Sequence, residues 1–138
     1  MTLFAYTDGA SRGNPGESGI GIVLNDEHGT VIASQYGYIG KATNNIAEYT
    51  ALATCLNMVK AIECSCLVVH SDSELMVRQL NGQYKVKDAS LKKIFYQIQN
   101  VLAAAPFKFI IKHVPRENNQ EADELANRGI DTKEVLTN

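Results

Sequence analysis

Tryptophan is absent from the 138 residues, proline and cysteine occur three times each, and aromatics make up only 7%. Three cysteines are an odd count in a chain this long, which argues against a disulfide scaffold and points to a reducing cytoplasm. Cys64-x-Cys66 with Cys55 is not a zinc pattern, because four ligands at finger-like spacing are missing. No apolar run approaches the length of a membrane span, and the first residues lack the basic-then-apolar order of a secretory signal. A nucleotide-binding G-x-x-x-x-G-K-[ST] loop is also missing. Neither sign of charge dominates: 13 Lys and Arg against 15 Asp and Glu leave −2, so there is no strongly basic footprint.

What is there fits one globular domain over residues 1–138, with 45% apolar and 20% charged residues and no biased tract. Residues 3–7 read as a buried strand running into Asp8, and the glycine-rich stretch 9–18 reads as a loop. Within it, Asn14-Pro15-Gly16 suits a type II turn with Gly16 at the third position. Strands over 19–25 and about 30–39 complete an antiparallel meander. The period then lengthens: Tyr49, Leu52, Ala53, Leu56 and Val59 recur at helical spacing between Thr43 and Lys60. A short strand, Leu67 to His70, ends at Ser71-Asp72, and Ser73 is placed to cap a helix ending near Gly82. Another helix runs through Leu91, Ile98 and Leu102, a strand spans Phe107 to Val114, and a last helix runs from Asn118 or Asn119 to Gly129. The order is βββαβααβα, an α/β domain with a mixed sheet.

Two strands end alike, in Thr7-Asp8 and Ser71-Asp72. Ligands of open α/β sheets sit beyond the carboxyl ends of strands, so parallel neighbours would bring these two carboxylates to one edge. Hard oxygen donors of this kind suit Mg2+ rather than zinc. Glu48, at the flank of its helix's apolar stripe, and Asp123, in the first turn of the last helix, read alone as ordinary surface positions.

Together these segments resemble the type 1 ribonuclease H family. Tyr6-Thr7-Asp8-Gly9-Ala10-Ser11 with Gly13-Asn14-Pro15-Gly16 is similar to its opening motif, and Thr43-Asn44-Asn45-Ile46-Ala47-Glu48 to its T-N-N-x-x-E. Ser71-Asp72-Ser73 is similar to the third motif, and Asn119 to Ala126 to the fourth, all in the family's order from about residue 3 to 129. The resemblance implies a ribonuclease H-like fold, with a five-stranded mixed sheet carrying helices on both faces. It also implies endonucleolytic cleavage of the RNA strand of RNA/DNA hybrids, leaving 5′-phosphate and 3′-hydroxyl ends. Asp8, Glu48, Asp72 and Asp123 match the carboxylates that hold two Mg2+ ions, with Mn2+ as a substitute. Asp8 would hold both ions, with Glu48 and Asp72 on one side and Asp123 on the other. The main chain of Gly9, Ala10 and Ser11, with Asn14 and Asn44, matches positions that read the RNA strand. Asn45 matches a reader of the DNA strand, and Thr43 part of a phosphate pocket. Two divalent cations would also return four positive charges to a chain of −2, which makes its composition compatible with phosphate binding.

The chain departs from the family in three places. The basic handle between the second and third helices is missing, and only Asn81 to Asp88 fills the gap, with Lys85, Lys87, Lys92 and Lys93 nearby. Glu74 stands where Gln is usual, a poorer neighbour for phosphate. No loop histidine precedes Asp123, so Arg116 is expected to take its place as a catalytic cation, with His113 as the alternative. A monomer is expected, with no membrane attachment. Duplex RNA is a second candidate substrate. Two rival readings are an integrase- or resolvase-like nuclease acting on DNA, against which Asn14, Asn44 and Asn45 speak, and a non-catalytic hybrid-binding module, which would have lost an acid.

Overall fold

Strand β1 (Thr2–Gly13) is the axis of a five-stranded mixed sheet ordered β3-β2-β1-β4-β5 in the computed structural model, which describes residues 1–136. Strands β2 (Gly16–Asn25) and β3 (Val31–Ala42) follow as an antiparallel meander. Helix α1 (Asn44–Val59) then crosses to β4 (Cys66–Ser71), which lies parallel to β1. Helices α2 (Glu74–Leu80) and α3 (Ala89–Ala104) lead to β5 (Lys108–His113), parallel to β4. A single 3-10 turn, Arg116–Asn118, opens into α4 (Gln120–Thr132). The expected order and fold class hold.

The two faces of the sheet are covered differently. Alternation along β1 and β4 sends Leu3, Ala5, Leu67 and Val69 to one face, all fully buried. There they meet Tyr49, Leu52 and Leu56 of α1, Met76 of α2, and Leu91 and Ile98 of α3 in one apolar core. The other face carries α4, which lays Ala122, Ala126 and Ile130 on β2. Gly21 permits that approach, since any Cβ there would overlap the Ala122 carbonyl. Three helices start on side-chain caps: Thr43 Oγ1 accepts from Ile46 N, Ser73 Oγ from Met76 N, and Asp88 Oδ1 from Leu91 N.

Three sequence expectations are corrected. Residues 9–18 are not a loop: β1 and β2 pair continuously from Phe4↔Asn25 to Gly13↔Gly16. Gly9 marks a close backbone approach by α1, and Gly13 and Gly16 a tight hairpin end, signals that look like loop composition in sequence. The type II turn at Asn14-Pro15-Gly16 gives way to a two-residue connection, Asn14-Pro15, in which Gly13 (φ 113°) rather than Gly16 takes the positive φ. Finally, α4 runs past Gly129 to Thr132, and Lys133 (φ 55°) takes the left-handed position after it. Gly129 lies inside the helix because its Cα packs on the backbone of Gly37. No helix among the described residues is long and apolar enough to cross a membrane.

Candidate active site

Pairing between β1 and β4 stops at Thr7↔Ser71, while β1 continues for six more residues against β2 alone. The sheet therefore has a step, and the residues at the step are Asp8 on β1 and Asp72 just after β4. Asp8 is thus not at the end of a strand, as its motif suggested, but at the point where its strand loses a neighbour. Parallel register brings the two carboxylates together as expected. From the opposite side of the sheet, the first turns of α1 reach the same step. Gly9 makes this possible: a Cβ there would overlap the backbone of Ala47. Its N–H donates to Oε1 of Glu48 at 2.8 Å, tying the carboxylate to the strand.

Asp8, Glu48 and Asp72 each offer an oxygen within 4.8 Å of the others. Asp8 is 4% exposed and Glu48 9% exposed. Burial, and then the charges of Glu48, Asp72 and Asp123, hold the Asp8 carboxyl well above the usual carboxylate range. Glu48 is also raised, by burial and Asp72, against the opposing pull of the Gly9 N–H and the Arg116 guanidinium. Three hard-oxygen donors that repel one another at this distance are the donor chemistry of a Mg2+ or Mn2+ site, and a cation there would relieve the repulsion.

Asp123 lines the same cleft, of about 480 Å³, but stands outside the tight triad. Its helix is anchored by Asn119, which is 2% exposed and donates Nδ2 to the Thr7 carbonyl at 2.9 Å, one residue from Asp8. Gly9, Ala10, Ser11, Asn44, Asn45 and Arg116 also line the cleft. Asn14 and Thr43 do not. Asn14 Oδ1 accepts from Asn44 N at 3.1 Å, joining the hairpin tip to the start of α1, and Thr43 caps that helix.

The departures separate cleanly. Arg116 is exposed on the 3-10 turn at the cleft, whereas His113, exposed at the end of β5 opposite Ser71, does not line it. Glu74 turns along α2 and pairs with Arg78 Nε at 3.1 Å rather than lining the cleft. Lys85, Lys87, Lys92 and Lys93 are all exposed. Sequence reading missed Arg12, Asn119 and Asn127. Arg12 was hidden by the loop reading of its hairpin. Asn127 carried one usable signal, its spacing of one helical turn from Asp123.

Residues 6–129 match the reverse transcriptase-like family. A bifunctional protein of Mycobacterium tuberculosis is 40% identical over 132 residues, covering 95% of this chain, which spans only 36% of that relative. A ribonuclease H of Methylococcus capsulatus is 33% identical over 141 residues, covering 94% of this chain and 90% of its own. Among solved structures, the LC11 ribonuclease H1 in complex with an RNA/DNA hybrid has a TM-score of 0.90 at 41% identity, covering 94% of this chain and 97% of its own. Four motifs in order, a shared sheet, and the Methylococcus and LC11 proteins matched along nearly their whole length lead to one assignment: the chain belongs to the type 1 ribonuclease H family.

Proposed function

We propose that this chain cleaves the RNA strand of RNA/DNA hybrids endonucleolytically, leaving 5′-phosphate and 3′-hydroxyl ends. It acts as a single domain over residues 1–138, as a monomer in the cytoplasm. The observation that carries this reading is the convergence of Asp8, Glu48 and Asp72 within 4.8 Å at the step in the sheet. The RNA/DNA hybrid bound by the LC11 relative supports the substrate.

Asp8, Glu48, Asp72 and Asp123 would hold two Mg2+ ions, or Mn2+ in their place. When bound, two such ions polarise the scissile phosphate and lower the pKa of an attacking water. The chain's own residues do the rest. Asp8 would serve both ions, with Glu48 and Asp72 as the further ligands of one and Asp123 of the other. Burial of Asp8 and Glu48 keeps solvent from competing for those oxygens. Arg116 brings a guanidinium, a group with donors only, so it acts by electrostatics on the phosphate and not by carrying a proton. Asn44 and the main chain of Gly9 to Ser11 lie along the cleft, where hydrogen bonds to the 2′-hydroxyl distinguish RNA from DNA, and Asn45 beside them reads the DNA strand. Asn14, bonded to the Asn44 N–H, steadies that contact. Thr43 starts α1, whose first N–H groups suit a DNA phosphate.

End-labelled RNA/DNA hybrid, duplex RNA and duplex DNA, each with and without Mg2+, test the reading. Cleavage of the hybrid's RNA strand only when Mg2+ is present is the expected result. Cleavage of duplex DNA with the hybrid left intact would overturn it in favour of an integrase-like nuclease.

A further inference from the structure

Arg12, near the hairpin tip, and Asn127, on α4, line the cleft without a part in the proposed chemistry. Asn127 Nδ2 donates to the Asp123 carbonyl at 3.0 Å and reaches its carboxylate Oδ1 at 3.4 Å. On its other side, Asn127 Oδ1 accepts from Arg12 Nη2 at 3.2 Å. The second guanidinium nitrogen, Nη1, pairs with Asp131 Oδ1 at 2.7 Å. A guanidinium has donors only. Its approach therefore decides which end of the amide faces which way: oxygen toward Arg12, NH2 toward Asp123. The reverse orientation would set two donors against each other at Arg12 and two acceptors against each other at Asp123.

Asp123 is the carboxylate that most needs such a fix. Asp8 is fixed by β1 and Glu48 by the Gly9 N–H, and both lie with Asp72 within 4.8 Å, whereas Asp123 comes from a separate helix and stands outside that triad. We propose that Arg12 and Asn127 are positioning residues, a relay from hairpin tip to α4 that fixes the Asp123 carboxylate for cation binding. The inference rests on the two-cation reading above. Outer-shell partners of carboxylate ligands typically change metal affinity by about 10–100-fold when lost.

Electrostatics alone predicts the opposite sign. Arg12 is a positive charge beside a cation site, so its simple removal should tighten divalent binding. If it positions, its removal should weaken binding.

Calorimetric titration of the substrate-free protein with Mn2+ separates the two, with thermal melts to verify folding of each variant. Asn127→Ala should weaken Mn2+ binding about tenfold. Arg12→Ala should weaken it about threefold, and Arg12→Lys, which keeps a donor-only cation, should restore it. Because Arg12 acts through Asn127, the double variant should bind no more weakly than Asn127→Ala alone. In hybrid cleavage, Asn127→Ala should raise the Mn2+ concentration for half-maximal turnover and leave the KM for hybrid within about twofold. Unchanged Mn2+ affinity in Asn127→Ala, tighter binding in Arg12→Ala, or additive losses would overturn the relay while leaving the cation reading intact. Failure of the unaltered chain to bind Mn2+ at all would overturn both.

Discussion

The main-chain N–H of Gly9 donates to Glu48 Oε1 across 2.8 Å, so one hydrogen bond joins the central strand to the helix that supplies a site carboxylate. The bond exists because residue 9 has no side chain to hold α1 away. Gly9→Ala should push the two elements apart, destabilising the fold by about 1–3 kcal/mol. The melting temperature should fall by roughly 3–10 °C. Turnover measured where both proteins remain folded should fall further than stability does, because Glu48 moves with its helix. Turnover equal to that of the unaltered chain would show that the contact is not needed by the site.

Asp8→Asn should abolish hybrid cleavage while leaving the fold intact, since the amide keeps the shape and loses the charge. Retention of more than a few per cent of turnover would exclude Asp8 as a shared ligand. The same substitution changes the pH dependence of stability. Asp8 and Glu48 both titrate above the usual carboxylate range in the folded protein, because of burial and mutual repulsion. The folded state therefore binds more protons than the unfolded state above the ordinary carboxylate pKa, and stability falls as pH rises from there through the raised values. Without divalent cations, the melting temperature should be higher near pH 5 than near pH 8. Asp8→Asn should flatten that slope and raise the melting temperature at the alkaline end. Thermal melts in chelator across this range provide the check.

Arg116→Ala should cut turnover by about tenfold or more, the loss typical of one electrostatic contact to a reacting phosphate. His113→Ala should leave turnover close to that of the unaltered chain. Its stability should change little as well, because His113 is exposed and surface substitutions usually stay within about 0.5 kcal/mol. Steady-state kinetics and melts on both variants decide. Turnover lost with His113→Ala and kept with Arg116→Ala would reverse the assignment.

With no basic handle between α2 and α3, the KM for hybrid should be high and should climb steeply with salt, as counterion release requires. A Lys-rich segment grafted between Gln83 and Asp88 should lower it with little change in turnover. An unchanged KM in a folded graft would show that this region lies off the nucleic acid.

The helical spacing of Tyr49, Leu52 and Leu56 and the paired strand endings at Asp8 and Asp72 made most of the fold and one pair of site carboxylates legible, while Glu48 and Asp123 emerged only from the motif resemblance. Those signals are local, and each depends on apolar alternation or on a motif of a few residues. The hairpin over residues 9–18 was not legible, because Gly9 serves a contact with α1 far away in sequence and Gly13 and Gly16 serve the tight hairpin end itself. Asn119 looked like a helix cap and instead turns its amide onto Thr7, a partner 112 positions away. Glu74 looked like an intruder at the phosphate and is neutralised by Arg78 one turn along its own helix. In each case composition identified the residue, and only the tertiary neighbour decided its work.

The overhang of β1 beyond β4 has a consequence for tolerance to change. Backbone polar groups alternate sides along a strand, and the Gly9 N–H points off the β2 ladder toward Glu48, so those of Ser11 point the same way while those of Ala10 engage β2. The cleft is therefore bordered by main chain in which the Gly9 amide is spent on Glu48 and the Ser11 amide faces outward, without regard to which side chain accompanies it. Drift at position 10 or 11 among small residues leaves that border intact. Proline at 11 erases a donor from it, and so does any insertion that slips the hairpin by one residue and turns the wrong amides outward.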